Sequence, residues 1–226
     1  MLPLRDNVPT RHLPFVTVGL IGANVAVWLL YQLPNLDHSV GELGYFPCAV
    51  EASCTTGGAS WPLTVLTSMF LHGSWTHLLG NMLFLWIFGN NVEDAMGGAR
   101  YLVFYLLAGL AATATQTIVT LGWGSQLEGQ IPNVGASGAI AGVLGAYAIL
   151  LPHARVLTLF VVLIIEVPAL LVLGAWFVFQ LWAGSASFDS PQEGGGIAFF
   201  AHIGGFVFGM LAVRFFAVRR PLQPSY

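Results

Sequence analysis

The chain has 226 residues, of which 56% are hydrophobic and 8% are charged, and its mean hydropathy is +0.77. A soluble domain carries about a quarter charged residues, so this composition excludes an ordinary soluble globular protein. The net charge of −3, with seven arginines and no lysine, leaves no basic surface for nucleic acid.

The apolar residues come in long blocks, and crossing a bilayer takes about 20 such residues. No small-residue cleavage site follows the first block, so we expect a retained helix rather than a secretory signal. The fifth block is interrupted by Glu166 and Pro168, and we expect its first turns to lie along the membrane interface. The predicted spans are 13–33, 75–91, 100–122, 134–151, 156–183 and 197–218.

These blocks predict an all-α membrane protein, a bundle of six transmembrane helices. The membrane domain would cover residues 13–218, between a cytoplasmic N-terminal tail (1–12) and a cytoplasmic C-terminal tail (219–226). Arginine usage supports this topology. With both termini inside, every arginine falls on the cytoplasmic side, whereas the opposite loops (34–74, 123–133 and 184–196) contain none. This asymmetry is what the positive-inside rule predicts.

The outer loops differ in character. Loop 34–74 is long, and its apolar stretch 62–71 is too short to span, which favours a helix lying in the interface. Cys48 and Cys54 lie in the same loop, either as two separate thiols or as a short disulfide. Loop 184–196 is rich in glycine and serine, and we expect it to gate the access of water.

Small residues cluster in the fourth and sixth spans. Gly138, Gly142 and Gly145 lie in the fourth, and Gly205 and Gly209 lie four residues apart in the sixth. Small residues at such spacing let helix backbones approach closely in a membrane. We therefore expect these two helices to touch.

Polar side chains occur at one depth in three spans that enter from the same side. At 1.5 Å per residue, Ser137, His202, His77 and Asn81 lie roughly 4–10 Å below the outer surface. Polar groups in hydrocarbon are costly and typically functional. Taken alone, Ser137 would be more typical of helix packing; next to His202 it becomes half of a nucleophile–base pair.

The chemistry of acyl transfer needs both groups and an oxyanion site. The imidazole takes the hydroxyl proton and later protonates the leaving amine. No Asp or Glu lies in the second, fourth or sixth block to orient the histidine, so we predict a Ser–His dyad in which packing or backbone hydrogen bonds hold His202. His77, Asn81 and the backbone N–H of Ser137 are candidate oxyanion donors; alternatively, His77 and Asn81 cap or join helices.

At this point the motifs resemble those of the rhomboid family of intramembrane serine proteases. Gly135-Ala136-Ser137-Gly138 resembles its GxSG motif, and the stretch from Ala201-His202 to Gly205 resembles its AHxxG signature. The stretch from His77 to Asn81 is similar to its HxxxN motif, whose side chains assist the oxyanion hole. The three motifs occur in the family's order, and the resemblance covers residues 12–218.

The resemblance implies hydrolysis of peptide bonds in or beside transmembrane segments, without metal or cofactor. Its partners would be single-pass or multi-pass membrane-protein substrates and the lipid bilayer. We expect a bacterial plasma membrane, with the site open to the extracytoplasmic side. Two positions depart from the family pattern: Ala141 replaces a tyrosine that packs on the histidine in many members, and the first loop lacks the Trp-Arg pair found in many.

Other functions fit the sequence less well. A zinc protease needs HExxH, which is absent, and an aspartyl protease needs two membrane-embedded aspartates, whereas Asp94 and the other three lie outside the predicted spans, in loops or termini. A transporter could use the polar residues together with Glu166 as a path, but no inverted repeat is evident. A non-catalytic binder or escort of membrane helices stays open.

Overall fold

The computed structural model describes residues 2–54, 58–187, 198–222 and 224. Helices account for most of these residues. The α-helices are α1 (Phe15–Val27), α2 (Leu36–Leu43), α3 (Trp61–Thr67), α4 (Trp75–Met96), α5 (Gly98–Trp123), α6 (Gln126–Gly129), α7 (Ser137–Leu150), α8 (Ala169–Ser187) and α9 (Phe199–Phe216). The shorter helical segments are a π-helical turn after α1 (Trp28–Gln32) and two 3₁₀ segments (Pro47–Glu51 and Ser68–Phe70). The strands are β1 (Leu2–Asp6), β2 (Arg155–Phe160) and β3 (Leu163–Pro168).

Four helical stretches among the described residues are long and apolar enough to cross a membrane. They are Phe15–Gln32, Gly98–Trp123, Ala169–Ala186 and Phe199–Phe216. These stretches fit an integral membrane protein and match four of the six predicted blocks. In the other two blocks, α4 carries Glu93 and Asp94 near its end, and α7 has only 14 residues. The six-span count therefore stays a prediction.

The expectation of an all-α fold is wrong at one place. Strands β1, β2 and β3 form an antiparallel sheet in that order, so the start of the fifth block is a hairpin and the N-terminal tail supplies a strand. β-Branched residues dominate 156–167, which favours a strand, and Pro168 disfavours helix at the residue before it. Val156 and Thr158 are fully buried, while Glu166, suspected of a membrane role, is exposed on β3.

The arginines gather at one end of the bundle, called here the arginine end. Arg11 pairs with Asp94 at 2.7 Å and donates to the carbonyl oxygen of Arg220 at 2.9 Å. Arg155 exchanges hydrogen bonds with Asn7 beside the sheet. The expectation that Asp94 lies in a loop is wrong, because α4 continues to Met96. The Asp94 carboxylate is accommodated at this end of the helix because it is paired with Arg11.

Helix α7 lies at the centre of the bundle. Its residues from Gly138 to Ala148 are buried, and glycine allows α9 to approach it closely. A Cβ at Gly209 would collide with the carbonyl oxygen of Gly142, and a Cβ at Gly205 with that of Gly138. The predicted contact between the fourth and sixth spans is thus confirmed.

The long loop 34–74 is built from α2, α3 and the two 3₁₀ segments. The apolar stretch 62–71 forms α3 and the 3₁₀ turn that follows it, as a short helix was expected there. Cys48 and Cys54 are joined in a disulfide, which decides between the two alternatives left open by the sequence.

Candidate active site

Ser137 is the first residue of α7, and the glycine before it shapes the turn that presents its hydroxyl. Gly135 has a φ of +129°, a conformation that glycine adopts without steric cost. Its N–H donates to the carbonyl oxygen of Ser68 at 2.9 Å. A Cβ at position 135 would lie 2.8 Å from two ring atoms of His77. Glycine is therefore needed both for the backbone and for the space that His77 occupies.

His202 lies in the first turn of α9 and contacts Ser137 directly. Its Nε2 atom is 2.8 Å from Oγ of Ser137. On the other side of the ring, Nδ1 is 2.7 Å from Oε1 of Gln180. The ring of Trp176 packs beside it, with centroids 5.6 Å apart. A hydroxyl and an imidazole nitrogen at this separation can exchange a proton.

Side chains of helix α8 hold the His202 ring. The sequence predicted that packing or backbone hydrogen bonds would hold it. At position 141, where the family resemblance led us to expect tyrosine, the alanine is fully buried and lines the cavity. Gln180 and Trp176 contact the ring instead. The signal for Gln180 was present in the sequence: it is the one carboxamide in the apolar stretch 169–183, and a polar side chain inside a membrane helix needs a partner.

A cavity of about 740 Å³ opens onto the hydroxyl–imidazole pair. It brings together all four residues singled out by sequence: Ser137, His202, His77 and Asn81. Much of the remaining wall is apolar, with Phe84, Leu144 and Trp176 among the lining side chains. No carboxylate occurs among the described residues that line it.

Asn81 is the least satisfied of these polar groups. Its side chain is 8% exposed, and its Nδ2 has no hydrogen-bond partner among the described residues. A buried donor without an acceptor is rare and costs about 1–3 kcal/mol. His77 differs, since its Nδ1 accepts from the N–H of Gly73 at 3.4 Å. Asn81 also lines the cavity, so the site carries a polar side chain whose donor group is unpaired among the described residues.

A second histidine, His72, lies behind His77 and was not predicted. The two rings pack edge to face, with centroids 5.1 Å apart. His72 is fully buried, and its backbone exchanges two hydrogen bonds with the carboxamide of Gln32. Burial, with His77 nearby, lowers the pKa of His72 to about 3, so its ring is neutral at physiological pH. His72 lies outside every predicted span, which is why depth did not single it out.

The predicted gate, loop 184–196, falls largely outside the described residues. Residues 184–187 form the end of α8, and 188–197 are not described. The gating role therefore stays a prediction.

The comparisons with known proteins agree on one family. The family model described as "Rhomboid domain" matches residues 58–219. The chain is 28% identical over 203 residues to "Rhomboid protein 1, mitochondrial" of Saccharomyces cerevisiae, covering 88% of this chain and 53% of that protein. It is 30% identical over 202 residues to "Presenilin-associated rhomboid-like protein, mitochondrial" of Bos taurus, covering 85% and 46%. To "Rhomboid protease GluP" of Bacillus subtilis it is 32% identical over 133 residues, covering 59% and 24%.

These relatives are longer than the chain, which spans about half of the two mitochondrial proteins. They also bear on localisation. Two of the three are mitochondrial by name, so the expected bacterial plasma membrane gains no support from them. The apolar helices fit an integral membrane protein.

Proposed function

The chain belongs to the rhomboid family, and on that premise we propose that it is an intramembrane serine endopeptidase. It cleaves peptide bonds in or beside the transmembrane segments of other membrane proteins, with Ser137 as nucleophile and His202 as base. The observation that carries this proposal is the 2.8 Å separation between Oγ of Ser137 and Nε2 of His202. Both groups face the cavity, where a peptide bond can reach them.

The proposed reaction proceeds in two halves. Oγ of Ser137 attacks the carbonyl carbon of the scissile bond while its proton passes to Nε2 of His202. The tetrahedral intermediate collapses, the C–N bond breaks, and the imidazolium gives its proton to the leaving amine. Water then attacks the acyl-enzyme, with His202 as its base, and releases the carboxyl product together with the Ser137 hydroxyl.

Negative charge develops on the substrate oxygen in both halves, and three groups are proposed to receive it. Asn81 offers the unpartnered Nδ2 donor, and His77 lines the same cavity. Ser137 is the first residue of α7, and the first N–H groups of a helix have no acceptor within the helix. Preorganised donors of this kind stabilise the transition state more than the ground state.

We propose that six helices cross the bilayer, with α4 and α7 as the second and fourth spans and both termini inside. The arginine end then faces the cytoplasm, as the positive-inside rule requires, and the cavity opens on the opposite side. Helix α7 can be short because protein rather than lipid surrounds it: α4, α5 and α9 all pack on it. A substrate helix would arrive laterally from the lipid.

Cleavage of a model transmembrane substrate by the purified protein tests this proposal. We expect cleavage by the wild type, and none above background with Ser137→Ala or His202→Ala. Matched controls are Ser125→Ala and His153→Ala, which alter exposed side chains away from the cavity and should retain wild-type rates.

The outcome separates the rival functions. No cleavage by folded wild-type protein, with binding of the substrate helix retained, would make the chain a binder or escort rather than a protease. Activity that persists in Ser137→Ala would remove the nucleophile from its role. The rate should also fall as His202 becomes protonated, and undiminished activity at pH 4 would contradict a histidine base.

A further inference from the structure

We infer that Gln180 is a positioning residue that fixes the tautomer of His202, an inference that rests on the proposed function. Its side-chain carbonyl oxygen accepts the Nδ1 proton of the imidazole. The lone pair on Nε2 is thereby kept on the side of Ser137. The three side chains then form a hydrogen-bonded chain of hydroxyl, imidazole and carboxamide, and the carboxamide occupies the place that a carboxylate has in a serine protease of the triad type.

The hydrogen-bonding capacities of the two side chains lead to this assignment. A neutral imidazole carries one N–H donor and one acceptor nitrogen, while a carboxamide oxygen can only accept. Oε1 of Gln180 lies 2.7 Å from Nδ1, so Nδ1 carries the proton. Nε2 is then the acceptor, 2.8 Å from the Ser137 hydroxyl. In the opposite tautomer, Nε2–H would point at the serine and could not take its proton.

The surroundings make this contact a strong constraint. Gln180 is only 4% exposed, and hydrogen bonds away from water are electrostatically stronger and costlier to lose. The ring of Trp176 limits rotation of the imidazole on one face. Because Gln180 and Trp176 both belong to α8, one helix orients a base that is carried by another.

A carboxamide also suits the apolar setting better than a carboxylate. An ionised carboxylate in the membrane is costly unless it is fully paired. The carboxamide is neutral, and the negative end of its C=O dipole still faces the imidazolium that forms during the reaction. It thus orients the ring and offers partial charge stabilisation without a buried anion.

Two substitutions separate orientation from packing. Gln180→Met keeps length and removes the acceptor; we expect kcat to fall roughly 10–100-fold, a part of what a positioned base contributes, with KM little changed. Gln180→Glu restores an acceptor and adds charge; we expect activity well above that of Gln180→Met. The acidic limb of its pH–rate profile should move to higher pH, because a carboxylate favours the imidazolium. Gln130→Met, on the exposed outer loop, is the matched control and should match the wild type.

The tautomer itself can be read by nitrogen NMR of protein with ¹⁵N-labelled histidine, using His202→Ala to assign the signal. We expect Nδ1–H in the neutral ring of the wild type and a loss of that preference in Gln180→Met. Nε2–H in the wild type would overturn the inference, as would wild-type kcat and pH profile in folded Gln180→Met. The tautomer of the wild type is measured without turnover, so that measurement tests the inference even if Gln180→Met folds poorly. Activity that survives Ser137→Ala would instead overturn the proposed function.

Discussion

The two carboxylates at one end of α4 and the carboxamide of Asn81 at the other differ in their hydrogen bonding. At the arginine end, Glu93 accepts from the N–H groups of Val16 and Thr17 and from the Thr17 hydroxyl, at 2.8–3.0 Å. Asp94 is paired with Arg11. At the other end, Asn81 is equally buried and lines a cavity, but its Nδ2 has no hydrogen-bond partner among the described residues.

Groups that hold the architecture can thus be distinguished from groups of the proposed site within one helix. The Glu93 carboxylate caps the start of α1 and joins it to α4, and Asp94 joins Arg11 to α4, so both carboxylates have partners without any ligand. The unpaired Nδ2 of Asn81 lacks that completeness, and under the proposed function its partner is the substrate oxygen. A buried donor without a partner needs an explanation, and the proposed oxyanion supplies one for Asn81 because Asn81 lines the cavity beside Ser137. Trp28 Nε1 and Asn133 Nδ2 also lack partners among the described residues, but neither residue lines that cavity.

Substituting matched asparagines in α4 gives the largest contrast between the two ends. Asn81→Ala should lower kcat by roughly 10–1000-fold, the effect of losing an oxyanion donor. The variant should be no less stable than the wild type, because it also removes a buried donor whose missing partner costs about 1–3 kcal/mol. Asn91→Ala should instead lower the stability of the fold and leave catalysis unaffected. Its Nδ2 donates to the carbonyl oxygen of Val8 at 3.1 Å, so its loss should cost about 1 kcal/mol of stability with kcat unchanged.

Steady-state cleavage and denaturation in detergent measure both quantities on the same samples. An unchanged kcat in Asn81→Ala would remove Asn81 from the oxyanion role and leave it as a helix-joining residue. A large fall of kcat in folded Asn91→Ala would mean that the two ends are not independent.

Removing the carboxylate of Glu93 tests the proposed structural role of the arginine end. Glu93→Ala leaves three donors on Val16 and Thr17 without their acceptor, so we expect a loss of about 2–4 kcal/mol in the free energy of unfolding. Activity per folded molecule should stay near that of the wild type. A stable variant with impaired kcat would contradict the assignment of this cluster to architecture.

The smallest expected effect concerns Asp6 on β1. Its carboxylate accepts from the Tyr147 hydroxyl at 2.7 Å, and burial raises the pKa of Asp6 to about 6. A raised pKa favours folding below the unfolded value near 3.8, and that benefit is lost as pH rises through 6. Asp6→Asn should therefore be more stable than the wild type by about 1 kcal/mol at pH 7.5, with the difference vanishing near pH 4. Thermal unfolding at the two pH values measures it, and a variant less stable at pH 7.5 would contradict the prediction.

The sequence was sufficient for the parts of the site that depend on depth and helix contact. Glycines at fixed spacing predicted the contact between α7 and α9, and counting residues from the span starts placed Ser137 and His202 at one level. These inferences need only helix geometry. The same reasoning grouped His77 and Asn81 with them around what proved to be one cavity.

The rest depended on information that periodicity does not carry. An unbroken apolar run is compatible with a buried strand as well as with a helix, so the sequence predicts helical turns along the interface where the structure has β2 and β3. The contact of Gln180 with His202 requires the rotation of α8 about its axis, which tertiary packing decides. The pairing of β1 with β2 joins residues about 150 positions apart, a register that local sequence does not predict.

Covalent capture of the nucleophile tests the central claim most directly. Oγ of an activated serine attacks the phosphorus of a fluorophosphonate and displaces fluoride, and peptide mapping locates the adduct. We predict one adduct, on Ser137, formed by the wild type and lost in both Ser137→Ala and His202→Ala. Folded wild-type protein that stays unlabelled, or that is labelled at another residue, would contradict the proposal that His202 activates Ser137.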